Sequence, residues 1–152
     1  MTRWKPNVTV AAVIEQDGRF LLVEEQTADG LRFNQPAGHL DQGESLVAAV
    51  IREAREETAH HFVPESLVGI YQYPRPQGDI TYLRFAFAGR ATGFDPDLVL
   101  DTGIVRALWL TYDEILACRE RHRSQMVLAC IDDYRAGQRY ALDLIHHFGA
   151  DA

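Results

Sequence analysis

Residues 38–60 read GHLDQGESLVAAVIREAREETAH, and within them Arg52-Glu53-Ala54-Arg55-Glu56-Glu57 sets three carboxylates on two turns of a predicted helix. At 3.6 residues per turn, Glu53, Glu56 and Glu57 share one stripe at i, i+3 and i+4, where like charges repel by roughly 0.2–0.5 kcal/mol per pair. Such crowding asks for a cation. Hard divalent ions bind through carboxylate oxygens and keep waters and phosphate oxygens as their other ligands. Acids and bases mixed on one helix more often form a solvated face laced with weak ion pairs. Here Val47, Val50, Ile51 and Ala54 form an apolar stripe at i, i+3, i+4 and i+7, so the far face is a core face and the glutamates look outward from an anchored scaffold. Arg52 is the i, i+4 partner of Glu56, whereas Arg55 points between neighbours that are not acidic. Ser45 or Glu44 can serve the helix start. A helix built this way is a candidate site for pyrophosphate hydrolysis.

Outward from this helix the chain alternates strands and helices. Val8 to Ile14 and Arg19 to Glu24 flank Gln16-Asp17-Gly18 and read as a hairpin. Leu31 to Asn34 makes a short strand leading into Gln35-Pro36-Ala37-Gly38, read as a sharply turning loop. Downstream, Ser66 to Tyr73 and Ile80 to Gly89 are strands around the loop Pro74 to Asp79, and Val105 to Leu110 is another. A short helix follows from Asp113 and a longer one near Gln125 to Arg135, with Gly137 as its C′ residue. Gln138 to Ile145 reads as a final edge strand. The order predicts an α/β domain with a mixed sheet and helices on its faces.

The chain has 152 residues, which fits a single domain over 1–152 with a real core. A formal charge of −7 argues against binding a nucleic acid polymer, which needs clustered Lys and Arg. It does not argue against a small phosphorylated molecule, because a metal ion inverts the local field. Cys118 and Cys130 have no metal-ligand spacing and read as buried free thiols, consistent with a reducing cytoplasm. Val8 to Ile14 is too short to span a membrane and carries no cleavage pattern, so no membrane or export role is expected.

The spacing from Gly38 through Glu44 to Arg52-Glu53 and Glu56-Glu57 resembles the Nudix box, GX5EX7REUXEEXGU, with U a bulky apolar residue. Seven of its nine specified positions match when Ala54 counts as a weak apolar residue, and the departures are Ala59 for Gly and His60 for the last U. Ala at a left-handed helix end should cost roughly 1 kcal/mol against Gly. His60 is expected half-buried against the sheet or facing solvent. The stretches NVTVAAVIEQDGRFLLVEE, FNQPAGHLDQGESL, TYLRFAF and YRAGQRYALDLI are similar to the NudJ-type phosphatases, a bacterial Nudix subgroup, with His39 as a subgroup marker.

The resemblance implies a Nudix-type α/β/α sandwich and hydrolysis dependent on Mg²⁺, with Mn²⁺ as an alternative ion. It implies that Glu53, Glu56, Glu57 and the Gly38 carbonyl ligate the metal, that Arg52 orients a glutamate, and that Glu44 supports the site. Glu53 is the first choice for general base, one turn from the other two acids. An acid from outside the box is common in the family, and Asp101 is the nearest candidate by position, although FDPDLVLD also reads as ordinary turn chemistry. The implied substrates are nucleoside tri- and diphosphates and hydroxymethylpyrimidine pyrophosphate, with terminal phosphate released. ADP-ribose, a dinucleoside polyphosphate or an oxidised nucleotide are competing substrates within the class. A non-catalytic nucleotide-sensing module is a competitor outside it, disfavoured by the retained acids. Tyr71, Tyr73 and Arg75 can stack a base and pair a phosphate, and Phe33 can line the same pocket; packing on a sheet face explains the aromatics equally well. Arg32, Asn34 and Arg84 are weaker phosphate candidates. Monomer and homodimer both stay open.

Overall fold

Val10 to Ile14 form an unbroken apolar run, and every one of these side chains is buried. A strand buried on both faces must carry helices above and below it, and this strand organises the molecule. The computed structural model describes residues 2–149; residues 1 and 150–152, the ends of the expected single domain, lie outside the described residues. The elements in order are β1 (Asn7–Gln16), β2 (Arg19–Thr27), β3 (Gly30–Asn34), β4 (Ala37–His39), α1 (Leu46–Thr58), β5 (His60–Pro74), β6 (Thr81–Phe94), β7 (Ile104–Thr111), α2 (Tyr112–Ala117) and α3 (Met126–Arg135).

β1 runs parallel to β6 from Asn7↔Tyr82 to Ile14↔Gly89 and antiparallel to β4 on its other edge. β5 pairs antiparallel with β6 at the far edge. A second set, β3-β2-β7, is antiparallel and joins β1 through the hairpin end Glu15↔Phe20. Asp17 and Gly18 both have positive φ, 53° and 78°, as a primed two-residue turn requires. On one face of β1, Val10, Ala12 and Ile14 pack with Ala49, Val50 and Ala54 of α1. On the other, Val13 packs with Ile115 of α2 and with Cys130 and Ile131 of α3. The result is a mixed sheet between helical layers, an α/β/α sandwich.

Three expectations need correction. Ala37-Gly38 is strand rather than loop: it fills the open edge of β1, with Val10 opposite Gly38. Three residues are too few to show alternation. β5 begins at His60, directly after α1, instead of at Ser66. Pro64 and register shifts at three places hide its period. Gln138 to Ile145 is no strand; it contributes one bridge, Leu67↔Tyr140, and a 3₁₀ turn at Leu142–Leu144. Gly137 does end α3 with a positive φ of 86°.

Candidate active site

Ser45 is the N-cap of α1, its hydroxyl accepting from the Ala48 N–H at 3.0 Å. This frees Glu44 for a different task. Its carboxylate accepts two bonds from Arg52, from Nε at 2.7 Å and Nη2 at 2.9 Å, and the Arg52 fork continues to Glu53 at 2.8 Å and Glu56 at 3.1 Å. Nη2 also donates to the His39 carbonyl at 3.1 Å. One planar cation thus ties three box carboxylates to the end of β4, a geometry that a single ammonium cannot reproduce. The Arg52 contact holds the Glu44 carboxyl below the usual carboxylate range.

Gly38 lies directly against Glu53. A Cβ at that position would sit 2.1 Å from the Glu53 carboxyl carbon, so the Glu53 carboxylate keeps its place only beside a glycine, by contact and not by dihedral. Burial pushes the Glu53 carboxyl up, opposed by Arg52 and reinforced by the charges of Glu56 and Asp101. Glu57 is buried as well. Burial pushes its carboxyl up to about 8, although the Ala37 N–H bonded to it acts the other way.

The acid outside the box arrives on the loop between β6 and β7. The Asp101 N–H donates to the Glu56 carbonyl at 3.0 Å, and carboxylate oxygens of Glu53, Glu56 and Asp101 lie within 4.8 Å of one another. Sequence position alone could not separate Asp101 from its neighbours Asp95 and Asp97. Asp95 turns away from the cluster and meets the helix end, with Arg55 Nε at 3.0 Å and His61 Nε2 at 2.9 Å both on its Oδ2. Arg55 therefore has an acidic partner, one that helical spacing could not reveal because it is 40 residues away. His60 is half-buried, its ring 4.8 Å from Phe94 and 5.7 Å from Trp109, with Nδ1 at 2.9 Å from the Thr58 carbonyl.

Most of the candidates proposed for substrate contact are engaged within the protein. Tyr71, Tyr73 and Arg75 belong to β5 and the turn after it and Arg32 and Phe33 to β3, with Phe33 and Tyr71 packing on the same core cluster around Ile131. The Tyr71 hydroxyl donates to Asp133 of α3 at 2.7 Å, and Arg75 pairs with Asp79 at 2.6 Å. Phe33 is 5% exposed and carries the Arg121 guanidinium 4.5 Å above its ring. Arg32 donates to its neighbour's carbonyl, that of Leu31. Arg84 is buried, bonded to the side-chain oxygens of Gln35 at 2.9 Å and Asn34 at 3.1 Å.

The donors gathered around Glu53 are all oxygens, the set preferred by hard divalent cations. A glycine packed against the carboxyl and three converging acids give that set a built cradle, so the residues fit a divalent ion.

With this geometry in place, comparison with known proteins settles the class. The NUDIX domain family matches residues 3–129. The chain is 39% identical over 145 residues to Phosphatase NudJ of Escherichia coli strain K12, covering 95% of this chain and 94% of that protein. Its fold superposes on a NUDIX hydrolase from Nitrosomonas europaea with a TM-score of 0.92 at 54% identity, covering 95% of this chain and 98% of the other. A MutT NUDIX hydrolase from Burkholderia pseudomallei shares the fold at 20% identity and a TM-score of 0.74, covering 86% of this chain and 98% of the other. The chain belongs to the Nudix family and is a hydrolase acting on phosphoanhydride bonds.

Proposed function

We propose that this protein is a Mg²⁺-dependent phosphatase of the NudJ type, with Mn²⁺ as an alternative ion. It hydrolyses nucleoside tri- and diphosphates and hydroxymethylpyrimidine pyrophosphate and releases the terminal phosphate. The reading is supported by near full-length similarity to Phosphatase NudJ. Its main physical support is the convergence of Glu53, Glu56 and Asp101 within 4.8 Å of one another.

Glu53, Glu56, Glu57, Asp101 and the Gly38 carbonyl would hold the ion. When bound, such an ion polarises a phosphoryl oxygen and acidifies water. Glu53 is the general base: Arg52 engages Oε1 and holds the carboxylate beside Glu56 and Asp101, within reach of a water attacking there. Arg52 fixes the orientation of Glu53 and Glu56, and Glu44 holds Arg52. Tyr71, Tyr73, Arg75, Arg32 and Phe33 remain the substrate-side candidates. The chain acts as a single domain over 1–152, as a monomer or homodimer in the cytoplasm, on a small phosphorylated molecule and not on a nucleic acid polymer or a membrane. Among the described residues no helix is long and apolar enough to cross a membrane.

Phosphate release, screened across nucleotides, pyrimidine pyrophosphates, ADP-ribose and dinucleoside polyphosphates with and without Mg²⁺, tests this reading. Metal-dependent release from the first two classes is expected. Turnover confined to ADP-ribose or dinucleoside polyphosphates would move the protein to another Nudix specificity, and nucleotide binding without turnover would make it a sensing module.

A further inference from the structure

The β6–β7 loop delivers Asp101, yet little apolar packing holds it. Val99 at its crest is 89% exposed. Leu98 and Leu100 line an open hollow with Leu21, His60, Phe94 and Trp109 instead of entering the core. What fastens the loop is polar and sits at its two ends. At one end the Asp101 N–H bonds to the Glu56 carbonyl. At the other, Asp95 makes three separate attachments to the region where α1 meets β5: its N–H donates to the Ala59 carbonyl at 2.8 Å, and its Oδ2 accepts from Arg55 at 3.0 Å and His61 at 2.9 Å. Asp95 also accepts from the Leu98 N–H through its carbonyl at 3.1 Å, which turns the chain back toward Asp101.

We propose that Asp95 is a positioning residue for the cation site. By clamping the loop to the C-terminal end of α1 through Arg55 and His61, it sets where the Asp101 carboxylate stands relative to Glu53 and Glu56. The inference rests on Asp101 being a metal ligand, as proposed above. Exposed ion pairs of this kind add little to global stability, so the clamp acts on position. It also explains why Arg55 projects away from the acidic stripe that Arg52 serves: the two arginines hold the two halves of the site, Arg52 the box carboxylates and Arg55 the loop.

The test is Mn²⁺ binding by the metal-free protein, read from the resonance of free Mn²⁺ with no substrate present. Asp95→Ala and Asp95→Asn should each raise the Mn²⁺ Kd about tenfold, the scale on which residues behind a metal ligand act. Melting of the metal-free protein should hardly change. Asp101→Asn should weaken binding at least as much, and adding Asp95→Asn to it should do nothing more. Arg55→Ala and His61→Ala should each give part of the Asp95 effect. Unchanged Mn²⁺ affinity in the Asp95 variants while Asp101→Asn weakens it would overturn the clamp and leave Asp101 as a ligand. Additive losses in the double variant would also overturn it, by showing that Asp95 acts through something other than Asp101. Unchanged affinity in Asp101→Asn would instead remove the ligand reading on which the clamp depends. Should Asp95→Ala fail to fold, the nearly isosteric Asn variant carries the same comparison.

Discussion

The backbone N–H of Ala37 donates to Glu57 Oε1 at 3.0 Å, joining the edge strand β4 to the third acid of α1. With Arg52 donating to the His39 carbonyl as well as to Glu44, α1 is stitched to β4 at both ends of the acidic stripe. Glycine between those stitches then lets Glu53 lie against the strand backbone. The site is thus as much a product of β4 as of the helix.

That bond leaves Glu57 short of full compensation for its burial. In the metal-free folded protein burial pushes its carboxyl up to about 8, against 4.5 as the ordinary value. Between those two pH values the folded chain keeps a proton that the unfolded chain has lost, so the contribution of Glu57 to stability falls as pH rises through this window and is fully lost above it. Glu57→Gln, which stays neutral and can still accept from Ala37, should remove that fall. Urea unfolding of the metal-free wild type and variant across the window checks it: parallel curves would refute the buried, proton-holding Glu57. Turnover of the variant should drop by orders of magnitude, whatever the stability result.

Gly38→Ala should leave the fold intact and disable the site. The added methyl cannot coexist with the Glu53 carboxylate, which must swing away from its place beside Glu56 and Asp101. A displacement on the order of 1 Å of a group in such a site lowers turnover by about a hundredfold. The same substitution made on a Glu53→Gln background should lower kcat much less. A full further loss there would mean that Gly38 matters for something besides Glu53.

Ala59 occupies the left-handed region at φ 61° and ψ 12°, as the family pattern at this position demands of glycine. Left-handed backbone by itself favours Gly there by roughly 1 kcal/mol. The structure adds an opposing effect: Ala59 is only 2% exposed, and deleting a buried methyl loses about 0.8 kcal/mol. Glycine's freedom in the unfolded chain takes another 0.4–1 kcal/mol or so. Ala59→Gly should therefore change stability by less than about 1 kcal/mol in either direction. Ala59→Val, a branched side chain forced to positive φ in a filled position, should lose about 2–4 kcal/mol. Thermal or urea melting measures both, and a well-tolerated valine would show that the helix end can leave by a different turn.

These residues also show what could and could not be read in advance. The apolar runs of β1 and β2, the turn at Asp17-Gly18 and the amphipathic stripe of α1 are local signals, and each appears in the fold where its period placed it. The acidic stripe is local too, fixed by helical spacing. What escaped was non-local. β4 is three residues long and is strand only because β1 has a free edge to fill. The length of β5 is masked by Pro64 and its shifts in register. Among three loop aspartates, Asp101 and Asp95 acquire different surroundings solely because the loop folds back on α1, one toward Glu56 and the other toward Arg55 and His61.

Arg52→Lys keeps the charge and loses the fork. A lysine can reach one carboxylate or another, but it cannot hold Glu44, Glu53, Glu56 and the His39 carbonyl together as the guanidinium does. Mn²⁺ affinity and kcat should each fall by about 10–100-fold, the range seen when groups behind a metal ligand are changed. A lysine variant matching wild type in both would show that charge alone suffices and that the geometry of the fork is incidental.

The products report how the pocket seats its substrate. Water attacking the terminal phosphorus of a nucleoside triphosphate breaks the bond to the bridging oxygen, so inorganic phosphate leaves with the new oxygen and the nucleoside diphosphate keeps the bridge. The NudJ-type reading expects this outcome, followed by a slower second release from the diphosphate. In ¹⁸O-labelled water one heavy oxygen should therefore appear in the first phosphate released and none in the diphosphate, which mass spectrometry and ³¹P NMR can both resolve. Attack at an inner phosphorus would instead give pyrophosphate and a nucleoside monophosphate. That result would leave phosphoanhydride hydrolysis in place and would exclude terminal phosphate release as the reaction of this site.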